Sequence, residues 1–545
     1  MLLLLAKPIF CQNLPMDPKL ASAPSSSDSL SDIATQSLQD PPILLPGDSV
    51  EHGSDSSALP IPDPARIQGD SGRILTLDSA LSILLSGNHD LRQSCDRWLA
   101  SREAAAGSWG DFEPKLVGRY NHQQTTLPGP LSELKDEYRL GLQGTLPSAT
   151  QYDFGMRHTG YLYSSTVSDI FFGISLRQPL LRSAWFGAPL AGIETARHEE
   201  RKAYHEYRSQ LVEAVSKLHA AFWECISSML LLHFEDESVR VAHDLQRDGI
   251  RRITTGKISP LDLEKISSEL AIRLSRKIEA QRSLAEAREK LEQMLSAPGA
   301  PWREPIRLKL PADLHLDPQA LKQTSAPNDS FQIWNPERLA QKSDIERQRV
   351  VVNGHRSAQL PSIDLLGSYG LYASGKTGAI ALNEFNRSHQ IQISAGVEVE
   401  FPIAGNIKER HQVQSERLGL RAAETRLSQI DQKCASDEDL LQIQVRQLLE
   451  QSWQERKAVI YHQRELQAEF RKLAAGKSNY HLLYDIEEKL RDSQKRLIDI
   501  FRSYQIARIE LQKSRGTLLR DNGLEQLVEG QPQLTAKLIS STTQH

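Results

Sequence analysis

The sequence predicts a mixed, mainly α fold in which long helical rods are joined to strands of the transmembrane β-barrel kind. Three observations predict it. Residues 391–407, IQISAGVEVEFPIAGNI, place Ile391, Ile393, Ala395, Val397, Val399 and Phe401 in alternation with Gln392, Ser394, Gly396, Glu398 and Glu400. A period of two marks a strand with one apolar and one polar face. After Pro402 and Gly405 the chain turns polar and helix-favouring for about 65 residues, roughly 100 Å of helix. The same succession of short helix, strands and long helix is written twice in the 545 residues.

The first copy begins where Asn88-His89-Asp90 precedes a helical stretch ending at Phe112-Glu113-Pro114, and the second where Asn335-Pro336-Glu337 precedes one ending at Gln359-Leu360-Pro361. Asp90 to Pro114 and Glu337 to Pro361 both span 24 residues. An alternating strand follows each proline, KLVGRYNHQ and then SIDLLGSYGLY. Each copy returns along a strand that ends in a proline, Pro179 in ISLRQPLLR and Pro402 in VEVEFPIAG. The long helical tracts that follow break at Gly256 (RRITTGKISPLDL) and Gly476 (KLAAGKSNYHLL), and helix resumes to about Leu295 and Leu519. Tyr204, Tyr207, Leu211, Val215, Leu218, Phe222, Cys225 and Met229 step by threes and fours, one stripe of a rod packed against neighbours.

The strands read as half apolar. Tyr138, Leu140 and Leu142 alternate with Arg139 and Gln143, and Ile170, Phe172, Ile174 and Leu176 alternate with Gly173, Ser175 and Arg177. An apolar outside and a polar inside suit a water-filled barrel. The lipid-facing set is Leu140, Leu142, Phe172, Ile174, Ile391, Ile393, Val397 and Val399. The first copy holds an additional hairpin, about 137–146 and 151–163, turning at Leu146-Pro147-Ser148-Ala149. The chain thus has four strands in one copy and two in the other, and whether the extra pair enters the barrel stays open.

Composition excludes other classes. There are 65 basic and 69 acidic residues, so nothing argues for nucleic acid as a partner. No run of eighteen apolar residues exists, which excludes a transmembrane helix and leaves a barrel untouched. Residues 1–12 read as a poor or truncated secretory signal, since the apolar run lacks a basic start and Lys7 interrupts it. Cys11 is a candidate for lipid attachment, but Pro8-Ile9-Phe10 fits the small-residue requirement badly, and a cysteine in a discarded leader is the preferred reading. Cys95, Cys225 and Cys434 are isolated within helical stretches, without metal-ligand spacing. Residues 13–72, rich in Ser, Asp and Pro, read as a disordered tether. The remaining divisions are a first repeat at 73–296, a linker at 297–334, a second repeat at 335–520 and a tail at 521–545.

With the repeat laid out, the chain from about 74 to 520 resembles an outer-membrane efflux protein of the TolC family. NHDLRQS and NPERLAQ at the short-helix starts, QPLLR and FPIAGN at the strand-to-helix junctions and the two glycine breaks carry the resemblance through their order and duplicated spacing. It implies a homotrimer whose chains share one β-barrel in the outer membrane, continued by an antiparallel helical barrel through the periplasm. Six strands per chain would exceed the family's usual four. The implied role is the passive exit duct of a tripartite efflux or type I secretion system, with no catalytic residue, cofactor or metal. Its partners would be outer-membrane lipid, a periplasmic adaptor (membrane fusion) protein and an inner-membrane RND or ABC transporter.

The resemblance also assigns positions. Gly256 and Gly476 would reverse the helical hairpins at the periplasmic tips, which constrict the duct. Asp485, nine residues after Gly476, matches an inward-facing acidic position whose ring of three would favour cations; the companion position one turn earlier is Leu482. Asp262, six residues after Gly256, matches a position that ties closed tips together, but its arginine partner position is Ser478, with Lys477 adjacent. A solvated carboxylate at a helix terminus is the plainer reading of both. Pro179 and Pro402, lacking an N–H, would end ladder pairing where barrel meets cylinder, and ordinary strand termination reads equally well.

Gly370 to Thr377, GLYASGKT, matches the phosphate-binding pattern G-x-x-x-x-G-K-[ST]. That pattern needs a buried parallel strand before it and a helix directly after it. The strand here alternates, so the segment reads as the outer hairpin loop of the second copy. A periplasmic adaptor and a coiled-coil scaffold without a pore are the two other classes. An adaptor would place split β-domain halves around one hairpin, where this chain has two complete strand–rod repeats, and a scaffold would not require amphipathic strands at matched positions beside both rods.

Overall fold

The computed structural model describes residues 73–126, 132–162, 167–185, 187–254, 256, 258–296, 306–308, 334–388, 390–403 and 405–524. They lie in the unit Leu59–His545; Met1–Ala58, and with it Cys11, falls outside the described residues, as do most of the 297–334 linker and of the tail.

Two helical hairpins are the largest parts of the described residues. The first joins α3 (Gly187–Thr254) to α4 (Pro260–Leu295), and the second joins α7 (Ile407–Ala474) to α8 (Tyr480–Arg515). The long arms are 68 residues each and the short arms 36 each. A helix of that length runs about 100 Å. No described helix is long and apolar enough to cross a membrane.

Shorter helices brace the rods: α1 (Leu77–Gly87), α2 (His89–Gly107) and α5 (Pro336–Ala358). The two asparagines that open the repeats are N-caps. Asn88 accepts from the Leu91 N–H, and Asn335 accepts from those of Glu337 and Arg338, with Pro336 in the first turn. A short parallel pair, β1 (Arg73–Leu75) with β6 (Ile306–Leu308), closes over α1, so part of the linker is tied into the body.

The stripe on α3 is the centre of the main core. Leu211, Val215, Leu218, Phe222 and Cys225 are almost fully buried, against Leu84 of α1, Leu291 of α4 and Phe501 of α8. Trp223 meets Phe501 edge to face at 5.4 Å, which stitches the two hairpins together. Cys95, Cys225 and Cys434 are buried free thiols, and burial pushes the Cys225 thiol up to about 11, so it stays protonated and unreactive.

Two histidines on α3 make the rods pH-sensitive. Burial, with Arg208 and Arg201 nearby, lowers His205 to about 4, and burial with Arg508 nearby does the same to His219. Both are neutral when folded. The unfolded chain takes up protons below about 6.5 that the folded rod refuses until about 4, so stability present above 6.5 is lost as pH falls through that window. The thermal midpoint of the helical circular-dichroism signal should drop between pH about 7 and about 4.5, and His219→Gln should flatten that slope.

All six longer strands form one antiparallel sheet in the order β2-β3-β4-β5-β7-β8, including the extra hairpin of the first copy. The strands are β2 (Lys115–Thr126), β3 (Ser132–Thr145), β4 (Gln151–Leu162), β5 (Ser168–Pro179), β7 (Ser362–Gly375) and β8 (Gln390–Glu400). The β3–β4 turn lies at Leu146–Thr150, with Ala149 at φ 67°. The GLYASGKT segment, expected as the outer hairpin loop, is instead strand as far as Gly375, and beyond it lies a helix, α6 (Gly378–Arg387), capped by the Thr377 hydroxyl. The GLYASGKT segment still offers no phosphate cradle. Its strand is antiparallel to both neighbours, and the hydroxyl a phosphate-bound metal would need is spent on the Ile380 N–H.

Candidate functional site

The strand register sorts the sheet into two faces. Leu142, Phe154 and Ile174 stand opposite one another across β3, β4 and β5, and Tyr369 and Ile393 continue the row on β7 and β8. Leu140, Met156, Phe172, Leu371 and Ile391 form the next row, and Leu365 with Val397 and Ile363 with Val399 lie towards the helices. All eight residues expected to meet lipid are on this one face. They are exposed, from 36% at Ile174 to 72% at Ile393. Exposed apolar faces of that extent mark interaction surfaces. Among the described residues, the two outermost strands, β2 and β8, also each leave one edge without a partner.

The opposite face is polar. Lys115, Gln143, Asp153, Ser175, Ser368 and Ser394 form one row, and Gly141, Gly155, Gly173 and Gly370 fill four positions of the next. Near the helices Arg177 reaches Asp364 at 2.5 Å and Glu398 at 3.1 Å, joining β5, β7 and β8.

The junction prolines act differently from one another. Pro179 is the last paired residue of β5, opposite Asp364, yet Leu180 beyond it still donates to the Ile363 carbonyl at 2.8 Å. The ladder therefore outlasts the proline by one bond. Pro402 follows the end of β8, and its carbonyl accepts from Gly405 in a tight turn at φ +72°. Asn406 then ties the start of α7 to the last turn of α5 through the Ala358 carbonyl.

At the far ends of the rods, Gly256 and Gly476 take left-handed φ values of +66° and +70°. Asp262 completes a capping box with Ser259, accepting from its hydroxyl at 2.8 Å, and those hydrogen bonds hold its carboxyl below the usual range. Ser478 donates to Glu469 on its own hairpin. Asp262 and Ser478 are thus each bonded within their own hairpin. Asp485 is half exposed, with His481 at 3.5 Å one turn away. The hairpin ends are instead joined by Tyr480, whose hydroxyl donates to Asp248 at 3.0 Å. Among the described residues no group of three or more His, Cys, Asp or Glu side chains is placed to hold a metal.

No family model matches the chain. A protein of Dickeya chrysanthemi, the proteases secretion protein PrtF, is 21% identical over 292 residues, 49% of this chain and 58% of that one. The match spans less than two thirds of that relative's length. Among solved structures, the outer-membrane channel OprN superposes with TM-score 0.60 at 14% identity, covering 81% of this chain and 89% of that one. The CmeC outer membrane channel of Campylobacter jejuni gives 0.60 at 11% identity, over 83% and 89%. CusC, a protein that forms a transmembrane channel, gives 0.61 at 17%, over 81% and 92%. The chain has the fold of the outer-membrane channels.

Within this channel fold lies a cluster that the sequence reading missed. Arg273 of α4, 3% exposed, contacts Glu487 of α8 at 2.6 Å, the Ser238 carbonyl of α3 at 3.2 Å, and Glu269 at 3.2 Å. Its guanidinium lies 4.9 Å from the Tyr484 ring centre. The second Glu487 oxygen is buried without a hydrogen-bond partner among the described residues, and burial pushes that carboxyl up. The signal was present: Ile266, Leu270 and Arg273 step by four and three, which puts Arg273 on the buried stripe.

Proposed function

We propose that this chain is one subunit of a homotrimeric outer-membrane channel of the TolC family, a passive exit duct with most of its length in the periplasm. The open six-stranded sheet with a continuous exposed apolar face carries the proposal. Three such sheets joined edge to edge give eighteen strands, a size that leaves an aqueous channel. Lipid covers Leu140, Leu142, Phe172, Ile174, Ile391, Ile393, Val397 and Val399. The seam is complementary: β2 brings Lys115 and β8 brings Glu398 and Glu400 to the helix-side end of the polar face.

The rods prolong the wall inward, with Gly256 and Gly476 at the entrance and Asp485 from three subunits as an acidic ring. Opening is a motion of the tip helices, driven by an adaptor that binds the open state better. An inner-membrane transporter of the RND or ABC class supplies the energy. PrtF's description as a proteases secretion protein supports a role in secretion beside efflux.

Negative-stain electron microscopy of protein extracted from outer membranes in mild detergent tests this reading. Three-fold particles well over about 100 Å long, the length the helix rise requires, are the expected result. Monomeric thin rods or compact particles would favour a scaffold or adaptor and end the channel reading.

A further inference from the structure

The register brings three arginines into one line on the polar face. Arg119 of β2 is directly opposite Arg139 of β3, and Arg139 is directly opposite Arg157 of β4. Residues so paired have Cβ atoms about 5 Å apart, and like charges at that spacing repel. Only Arg139 is neutralised in the line, by Asp153 two rows nearer the helices. Arg119 and Arg157 on either side are exposed, and no carboxylate is paired with them among the described residues.

The surroundings leave room for a ligand. On the helix side the adjacent row is Val117, Gly141, Gly155, Gly173 and Gly370, and four glycines in line leave a bare strip of backbone beside the guanidinium groups. On the loop side the next row holds Glu137 and Asp169, so the positive line is local and bounded by acid. Phe171 and Tyr372 extend the arginine row onto β5 and β7. A guanidinium offers paired donors that match carboxylate, phosphate and sulfate oxygens.

We propose that Arg119, Arg139 and Arg157 form an oxyanion-binding station on the duct wall, where cargo bearing carboxylate, phosphate or sulfate groups pauses on its way out. The station rests on the channel reading, in which the polar face lines the lumen and three subunits repeat the row around it. It sits in the barrel, separate from the acidic ring proposed at the far entrance, so anions meet a favourable site only once past the tips.

Inorganic tripolyphosphate is the probe. Calorimetric titration of the detergent-solubilised protein at low salt should show binding that R119Q/R157Q weakens by roughly tenfold or more and that R119K/R157K retains in large part. In planar bilayers the same anion should block the wild-type conductance, and R119Q/R157Q should relieve the block while keeping the trimer on size exclusion. Arg177→Gln, which removes an arginine already held by Asp364 and Glu398, should leave tripolyphosphate binding in place. No binding to the wild type, or equal binding by R119Q/R157Q, overturns the station. Arginine-dependent binding without any conductance would keep the station and count against the channel.

Discussion

Arg273→Leu is expected to be among the most destabilising single changes in the rods, at about 3–5 kcal/mol. It leaves Glu487, 6% exposed, as a buried carboxylate without its main partner, and Ser238 as the remaining donor. Replacing both members, Arg273→Leu with Glu487→Leu, should recover most of the loss, because an apolar pair needs no compensation inside a helix packing. Thermal unfolding of the four proteins of the cycle, at one subunit concentration in one detergent, measures the coupling. A double variant no better than Arg273→Leu would mean that Arg273 acts through its packing on Tyr484 rather than through its charge. Because the cluster joins α3, α4 and α8, its loss should also make the hairpin ends more sensitive to protease.

Gly155→Val should prevent assembly of the sheet. A Cβ at Gly155 would overlap the Leu140 carbonyl oxygen and stand 2.5 Å from the Gly141 Cα, both backbone atoms that cannot move without parting β3 from β4. The clash should cost about 3 kcal/mol or more, in the range of severe overpacking. The effect does not extend to strand glycines in general, since a Cβ at Gly396 meets nothing within 4 Å. Gly396→Ala should therefore assemble like the wild type. The yield of the proposed oligomer on size exclusion after mild-detergent extraction distinguishes the two, and a normal yield from Gly155→Val would show that the strands there are not so closely paired.

Local periodicity explains what was legible and what was not. Alternation in Ile391 to Phe401 marked the apolar face, and the steps of three and four from Tyr207 to Met229 marked the buried stripe, because side-chain direction follows from backbone period alone. Gly256 and Gly476 stood out because only glycine reverses a helix through a left-handed residue without strain. The α6 helix was less visible: its ten residues include Asn386 and Phe385 among Ala, Ile and Leu, and a stretch so short shows little period. The tip positions taken from the resemblance are a different matter. Asp262 is bound up in capping its own helix, and nothing in a six-residue spacing separates a cap from a latch.

By itself the sequence determined the element types, the breaks between them and which face of each strand is apolar, since these depend on neighbours a few residues apart. Tertiary structure alone decided that β5 pairs with β7, that Arg119, Arg139 and Arg157 fall into one line beside a strip of glycines, and that Arg273 meets Glu487 across 214 residues of chain. The reason is register. A slip of one residue between two strands would turn one of them over and scatter both rows, and only the joint packing of segments far apart in the chain prevents it.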